Sequence, residues 1–204
     1  MTELMKKTAA ALTAHGFEVY TVATAPVAKE LMLSLIPEGA SVGIGGSVTI
    51  RDLGVVDELQ KNGHDVFWHW LPYDDMAKLF DDAHHADVYL SSVNALTGNG
   101  DLVNIDRTGN RVAATIYGPK TVILAVGINK LVDGGITTAI GRIKQYACPP
   151  NARRLNVDTP CARTGKCNAA ECGDNSLCGV TTIMQRPPKG HRVIVVLINQ
   201  AMGY

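Results

Sequence analysis

The chain has 204 residues, 46% of them hydrophobic and 19% charged, and its 19 lysines and arginines balance 19 aspartates and glutamates. This length and apolar content suit one well-filled core, so we expect a single α/β domain over residues 1–204. The balanced charge excludes a global field that would attract nucleic acid, and no apolar run approaches the roughly 20 residues that insert across a membrane. Because the N-terminus lacks the apolar stretch of a secretory signal, we expect a cytoplasmic protein.

Amphipathic stretches alternate with apolar runs through the first three quarters of the chain. The amphipathic stretches predict helices, bounded by glycine or proline in several places, at about 1–16, 26–37, 49–63, 73–87 and 134–147. The apolar runs predict strands at 17–23, 41–44, 64–70, 87–93 and 121–128. Because parallel strands need crossover connections, this alternation predicts an open, mostly parallel sheet with helices on both faces.

The composition changes near Pro149. Residues 148–179 are rich in Pro, Asn, Gly and Cys and show no hydrophobic period, which predicts an irregular Cys-rich insert. The chain then continues with two β-rich runs joined by the segment Pro-Pro-Lys-Gly at 187–190. This arrangement predicts a C-terminal β-hairpin.

A glycine-rich loop follows the second predicted strand, in the run SVGIGGSVTIRDLG. Gly45, Gly46 and Ser47 lead into a helix near Thr49, so backbone N–H groups and the helix dipole would face a phosphate or carboxylate above the sheet. The glycine spacing matches neither the dinucleotide fingerprint nor a P-loop, and we therefore expect no nucleotide cofactor motif. The alternative is that the glycines only make a tight turn between strand and helix.

Four cysteines lie within 18 residues at the spacing C-x5-C-x4-C-x5-C, namely Cys161, Cys167, Cys172 and Cys178. In a reducing compartment such thiols are more often metal ligands than disulfides, and a metal would order a segment that has few apolar residues. The varied spacing favours an iron–sulfur cluster slightly over zinc, whose structural sites usually have tighter pairs. A segment with free or oxidised thiols stays open as well. Cys148 is interpreted as a core residue.

Four runs carry a family resemblance, and they occur in unbroken order over about 120 residues: IPEGASVGIGGSVTIRDLG, NALTGNGDLVNIDRTGNRVA, YGPKTVILAVGINKLV and AIGRIKQYACPPNARRL. They resemble the LUD domain family of lactate-utilization proteins. The resemblance implies the fold group of ribose-phosphate isomerase, glucosamine-phosphate deaminase and CoA-transferases, with a cleft near the glycine loop. It also implies a part in the oxidation of lactate to pyruvate beside iron–sulfur protein partners.

The resemblance also implies which side chains approach the cleft. Thr97 and Asn104 would be hydrogen-bonding groups, Arg111 would hold a carboxylate in two parallel hydrogen bonds, and Asp106 would act as a base or orient Arg111. The competing interpretation is a hairpin turn in which Asp106 binds its own backbone. CoA-transferases of this fold use a glutamate nucleophile, but Gly98 occupies that place here, so acyl-CoA transfer by that route is not expected.

Two further side chains have ordinary structural interpretations. Lys130 follows a predicted strand and would reach the cleft, although a solvated helix-capping lysine is the simpler interpretation. His69 lies between two tryptophans, which is more typical of a wall or an interface than of a catalyst.

The leading hypothesis is a protein that binds a small carboxylate and takes part in hydroxy-acid oxidation. Whether it is an enzyme by itself stays open. The alternatives are a non-enzymatic assembly or binding subunit with a structural metal site, and an isomerase or transferase acting on a phosphorylated or acyl-CoA ligand. The sequence also leaves a homo-oligomer open.

Overall fold

A computed structural model describes all residues from 1 to 204. It contains ten strands, which are β1 (Glu18–Val22), β2 (Val42–Ile44), β3 (Val66–Trp68), β4 (Val88–Ser91), β5 (Ala95–Thr97), β6 (Leu102–Asp106), β7 (Thr121–Gly127), β8 (Leu131–Val132), β9 (Val180–Met184) and β10 (Arg192–Ile198). Its α-helices are α1 (Glu3–Ala14), α2 (Ala25–Ser34), α3 (Val48–Leu53), α4 (Val55–Lys61), α5 (Met76–His85), α6 (Asn110–Ile116), α7 (Ile136–Arg142), α8 (Cys148–Arg154) and α9 (Pro160–Thr164).

The main sheet has six parallel strands in the order β1-β10-β7-β4-β2-β3. Its central strands are almost wholly apolar because helices cover both faces. Helices α2, α3 and α4 pack on one face, and α1, α5 and α6 pack on the other. The prediction of a mostly parallel α/β sheet with helices on both faces is confirmed.

A second, smaller sheet has the order β8-β5-β6-β9. One of its faces shares the core of the main sheet through Leu96 and Leu102. Its other face packs against α7 and the π-helical turn Ile143–Ala147, which joins α7 to α8. The second sheet thereby places the end of β6 beside α8, and this arrangement closes one side of the cleft described below.

The two C-terminal strands occur where the sequence predicts them, but they do not pair with each other. Strand β9 pairs antiparallel with β6 in the second sheet, whereas β10 lies between β1 and β7 in the main sheet. The difference follows from burial. Strand β10 is apolar on both faces, which suits the middle of a parallel sheet, whereas three of the five residues of β9 are exposed, as in an edge strand.

Three local predictions also need correction. The expected hairpin after β6 is a strand followed by α6, because Gly109 takes a positive φ of 89° at the start of that helix. The helix predicted at 49–63 is divided into α3 and α4 at Gly54, which has a φ of 64°. The Cys-rich insert is not wholly irregular, since α8 and α9 each carry proline in the first turn, where its missing N–H is tolerated. None of the helices combines the length and the apolar composition that spanning a bilayer requires.

Candidate functional site

A cleft with a volume of about 530 Å³ opens at the carboxyl ends of β2, β3, β4 and β7, where ligands gather in open α/β sheets. The loops after these strands line it together with the end of β6, the first turn of α6 and the polar face of α8. The polar and charged lining residues are Ser47, Thr49, His69, Ser92, Asn94, Asp106, Arg107, Thr108, Asn110, Arg111, Lys130, Asn151 and Arg154. Four of them are lysine or arginine and one is acidic, so the cleft is cationic.

Lys130 lies at the bottom of the cleft and is only 4% exposed. Its Nζ donates hydrogen bonds to Thr49 Oγ1 at 2.7 Å and to Ser92 Oγ at 2.9 Å, and it makes no ion pair. The pKa of Lys130 is lowered to about 7, chiefly by burial and to a smaller extent by the positive charges of Arg142 and Arg111, against a small opposing effect of the charge of Asp52. The lysine is therefore neither solvated nor a helix cap. The sequence-based interpretation of Lys130 as a solvated, helix-capping residue is wrong.

The two hydroxyl partners of Lys130 have their own protons committed elsewhere. Ser92 Oγ donates to the backbone carbonyl of Ala125 at 2.6 Å, and Thr49 Oγ1 donates to the carbonyl of Met202 at 3.3 Å. Both oxygens must therefore accept from Lys130. The amine nitrogen has four tetrahedral positions, one taken by its own side chain and two by these hydrogen bonds, so one position has no partner within the protein.

Arg111 is enclosed by acceptors from the chain itself. Its guanidinium donates to Asn104 Oδ1 at 2.8 Å, to Asn94 Oδ1 at 3.1 Å and to the carbonyl of Ile105 at 3.0 Å. Its Nε lies 3.1 Å from Asp106 Oδ2, and both side chains are about one-tenth exposed. A longer contact of 3.5 Å reaches the carbonyl of Ser92 and completes the set of five N–H directions.

Asp106 makes both of the contacts that the sequence offered as alternatives. Its Oδ1 accepts from the backbone N–H of Gly109 at 3.0 Å, which fixes the turn before α6, while Oδ2 faces Arg111. The turn thus places the Arg111 side chain beside the end of β6. Gly45 is needed for the same placement, because a Cβ there would lie 2.8 Å from Arg111 Cγ.

Comparison with known families matches residues 5–198 to the model of the LUD domain. The chain belongs to the LUD domain family. That family is associated with lactate utilization, as the sequence resemblance implies. No protein of curated function matches the chain. A solved structure similar to it is that of a DUF162 family protein from Deinococcus radiodurans, with a TM-score of 0.58, 13% sequence identity and 97% coverage of each chain. At this identity the likeness supports the fold alone.

In this LUD domain the glycine loop lines the cleft, but its hydroxyls are already used. Ser47 Oγ caps α3 by accepting from the N–H of Ile50 at 3.3 Å, and Thr49 is bonded to Lys130. Gly46 lies beneath His69, whose ring would be 3.3 Å from a Cβ at that position. An anion-holding role for Gly45, Gly46, Ser47 and Thr49 stays a prediction, with Thr49 acting through Lys130.

The structure separates Thr97 from the other predicted site residues. Thr97 Oγ1 donates to Asp101 Oδ2 at 2.7 Å in the turn between β5 and β6, and the side chain is fully buried there. Gly98 packs against Leu4 of α1, not among the residues that line the cleft. Asn104 lies behind the lining and reaches the cleft only through Arg111. The residue type at position 98 therefore has no direct bearing on cleft chemistry.

Aromatic side chains line the cleft of this LUD domain together with the cationic residues. His69 contacts Trp70 and Phe80, and burial, followed by the charge of Arg154, lowers the pKa of His69. The guanidinium of Arg154 lies 4.9 Å from the centre of the Trp70 ring. The interpretation of His69 as a wall residue agrees with this placement.

Two thiols of the Cys-rich insert are in contact, and one of them is Cys148. Cys148 Sγ lies 3.5 Å from Cys178 Sγ, and Cys148 also lines the cleft. The hydrogen bond between the two thiols lowers the pKa of Cys178 to about 7 and raises that of Cys148. No three of the cysteine side chains converge as metal ligands do, and the metal site stays a prediction.

Several lining residues escaped the sequence analysis, namely Ser92, Asn94, Arg107, Asn151 and Arg154. A positional signal was available for two of them. Ser92 and Asn94 directly follow the buried strand β4, so they stand at the same sheet edge as the glycine loop. Asn151 and Arg154 carried no such signal, because the two consecutive prolines in the first turn of α8 indicate a loop as readily as the start of a helix.

Proposed function

We propose that this LUD domain binds a small carboxylate in the cleft, with Lys130 as its principal charged contact. The proposal rests on one observation: Lys130 is a buried amine with no acidic partner and one open position on Nζ. A buried ammonium without a counter-charge is costly, and an anionic ligand would relieve that cost. The binding would serve the oxidation of lactate or a related hydroxy acid together with redox partners, which is the setting of the family.

The charge of the whole cleft supports an anionic ligand. Asp106 is the only acid in the lining and is already paired with Arg111. Lys130, Arg107 and Arg154 are left without a carboxylate partner. Because the cleft walls exclude much of the water, this excess attracts an anion more strongly than an exposed patch would.

We assign Arg111 a positioning role, and we expect neighbouring residues to contact the ligand directly. Capture of a ligand by Arg111 would require at least one of its hydrogen bonds to Asn94, Asn104 or Ile105 to break. Asn94 Oδ1 accepts from Arg111 and from the N–H of Ile105, so the side-chain amide is held with its Nδ2 donor free. Lys130 and Asn94 are then the two donors best placed for a carboxylate.

Calorimetric titration tests this proposal. Pyruvate, lactate and inorganic phosphate would be titrated into the native protein, into Lys130→Met and into Lys120→Met, an exposed lysine outside the cleft. We expect Lys130→Met to weaken carboxylate binding by at least about tenfold, because a charge-assisted hydrogen bond is lost, and Lys120→Met to bind normally. Undiminished carboxylate binding by Lys130→Met would refute the assignment. Tighter binding of phosphate than of both acids would indicate a phosphorylated ligand instead of a carboxylate.

The thiols support a second candidate role, an assembly or binding subunit with a metal held by the insert. The separation of 3.5 Å between Cys148 and Cys178 is close to the edge of about 3.8 Å between sulfurs around one tetrahedral zinc. Metal and sulfide analysis of anaerobically purified protein tests it. Iron with sulfide, or one zinc per chain, that is lost in Cys148→Ala would support this role, and a metal-free native protein would refute it.

A further inference from the structure

We infer that Lys130 is a nucleophile that forms an imine with the carbonyl carbon of a 2-oxo acid in the cleft. The inference rests on the proposed function: Asn94 and the cationic residues around Lys130 would hold the carboxylate of the 2-oxo acid, and Nζ would react from the fraction of complexes in which it is unprotonated and its open position faces the carbonyl carbon. It goes beyond that function because it assigns a covalent step to one atom, Nζ of Lys130.

The hydrogen bonds of Lys130 suit a neutral amine. A neutral amine has two N–H groups, and the two available acceptors, Thr49 Oγ1 and Ser92 Oγ, take one each. When the hydroxyl protons are bonded to the backbone carbonyls of Met202 and Ala125, neither hydroxyl donates back to Nζ. The lone pair is thus left without a donor from the chain and occupies the open position on Nζ.

The surroundings also keep the amine from being locked as an ammonium ion. No carboxylate forms an ion pair with Lys130, and the charges of Arg142 and Arg111 disfavour a third positive charge more strongly than the charge of Asp52 favours it. An amine that is desolvated and near other cations is the usual form of an activated lysine nucleophile. With a pKa of about 7, a large fraction of Lys130 is neutral at physiological pH.

The step balances without an oxidant or a metal. The Nζ lone pair attacks the carbonyl carbon, and the carbonyl π electrons move to oxygen. The two amine protons leave with that oxygen as one water molecule, so a C=N bond replaces the C=O bond. Lactate has a hydroxyl in place of the carbonyl and cannot react in this way. The inference therefore separates a 2-oxo acid from its hydroxy acid by chemistry, although both carry the same carboxylate.

Reductive trapping tests the inference on the full chain. The protein would be incubated with pyruvate and borohydride and examined by intact mass and peptide mapping. We expect a gain of one pyruvate less one water plus two hydrogens, located on the peptide that contains Lys130. Lactate should give no adduct. Lys130→Arg keeps a cation but cannot form the imine, so it should lose the adduct, whereas Lys120→Arg should keep it.

The outcomes distinguish this inference from the proposed function. Calorimetric binding of pyruvate without an adduct on Lys130 would overturn the imine and leave the carboxylate site standing. An absence of both binding and adduct would refute both. Adducts that persist in Lys130→Arg, or that fall only on surface lysines, would overturn the inference. The yield of the Lys130 adduct should rise as pH increases through about 7, because the neutral fraction of the amine increases.

Discussion

The cleft and the Cys-rich insert are neighbours built on different principles. In the cleft, the charged groups are held by buried partners at strand ends, as Arg111 is by Asn104 and Asp106. In the insert, most residues after α9 are exposed and the turns are short. Two bonds tie the insert to β6, from the N–H of Gly179 to the carbonyl of Asp106 and from Arg107 to the carbonyl of Asp174. The fold itself fixes the cleft, whereas the insert depends on few contacts of its own.

The largest expected effect follows from removing the arginine that holds the cleft together. Arg111→Ala would leave Asp106 and the oxygens of Asn94 and Asn104 buried without their partner. We expect a loss of about 3–5 kcal/mol in the free energy of unfolding, measured with urea. The matched change Arg107→Ala removes one exposed bond to the insert and should cost less than about 1 kcal/mol. Equal losses in the two variants would contradict the contrast between cleft and insert.

A second effect concerns the pH dependence of stability. The folded protein lowers the pKa of Lys130 from 10.5 to about 7, so between these two values the unfolded chain binds more protons than the folded one. Stability should therefore rise with pH across that window, by up to about 1.4 kcal/mol per unit from this group, and the destabilising contribution should be complete below the lower value. Lys130→Met should remove this slope and Lys120→Met should keep it. Parallel urea profiles for all three proteins would exclude a perturbed Lys130.

A smaller effect separates the two glycines of the loop. A methyl group at Gly45 would lie 2.8 Å from Arg111 Cγ and 2.9 Å from Tyr89 Oη, whereas one at Gly46 would meet only the ring of His69 at 3.3 Å. Gly45→Ala should therefore cost about 1–3 kcal/mol through overpacking, and Gly46→Ala should cost less because the His69 ring is able to move. Thermal unfolding of the pair would show the order. The reverse order would mean that Arg111 is not held against Gly45.

The sequence predicted those parts of the molecule that depend on local pattern. The parallel sheet follows from the alternation of apolar runs with amphipathic stretches, and the place of the glycine loop follows from the strand before it. The contact between Asp106 and Arg111 is also predictable, because the two residues share one short motif in which the turn and the ion pair both depend on spacing within a few residues.

The rest depends on contacts between distant segments. Lys130 is buried only because Thr49 and Ser92, which lie 81 and 38 residues before it, supply the acceptors for its amine. The strands β9 and β10 look like a hairpin because a short proline turn joins them, and only the packing of two sheets separates them. For the same reason the sequence does not predict the contact of Cys148, because the thiol that it contacts lies 30 residues later in the chain. The predicted place of Thr97 at the cleft differs from the structure, because its motif determines a turn and not a position relative to the cleft.

The central claim is that the open position on Lys130 Nζ accepts an anion, and proton-linked calorimetry tests it most directly. Pyruvate would be titrated near neutral pH in two buffers of different ionisation enthalpy. The account predicts net proton uptake by the native protein, because a bound carboxylate raises the pKa of Lys130 from about 7, and both the uptake and the affinity should be lost in Lys130→Met. Binding of equal strength in the native protein and in Lys130→Met, with no proton taken up by either, would contradict it.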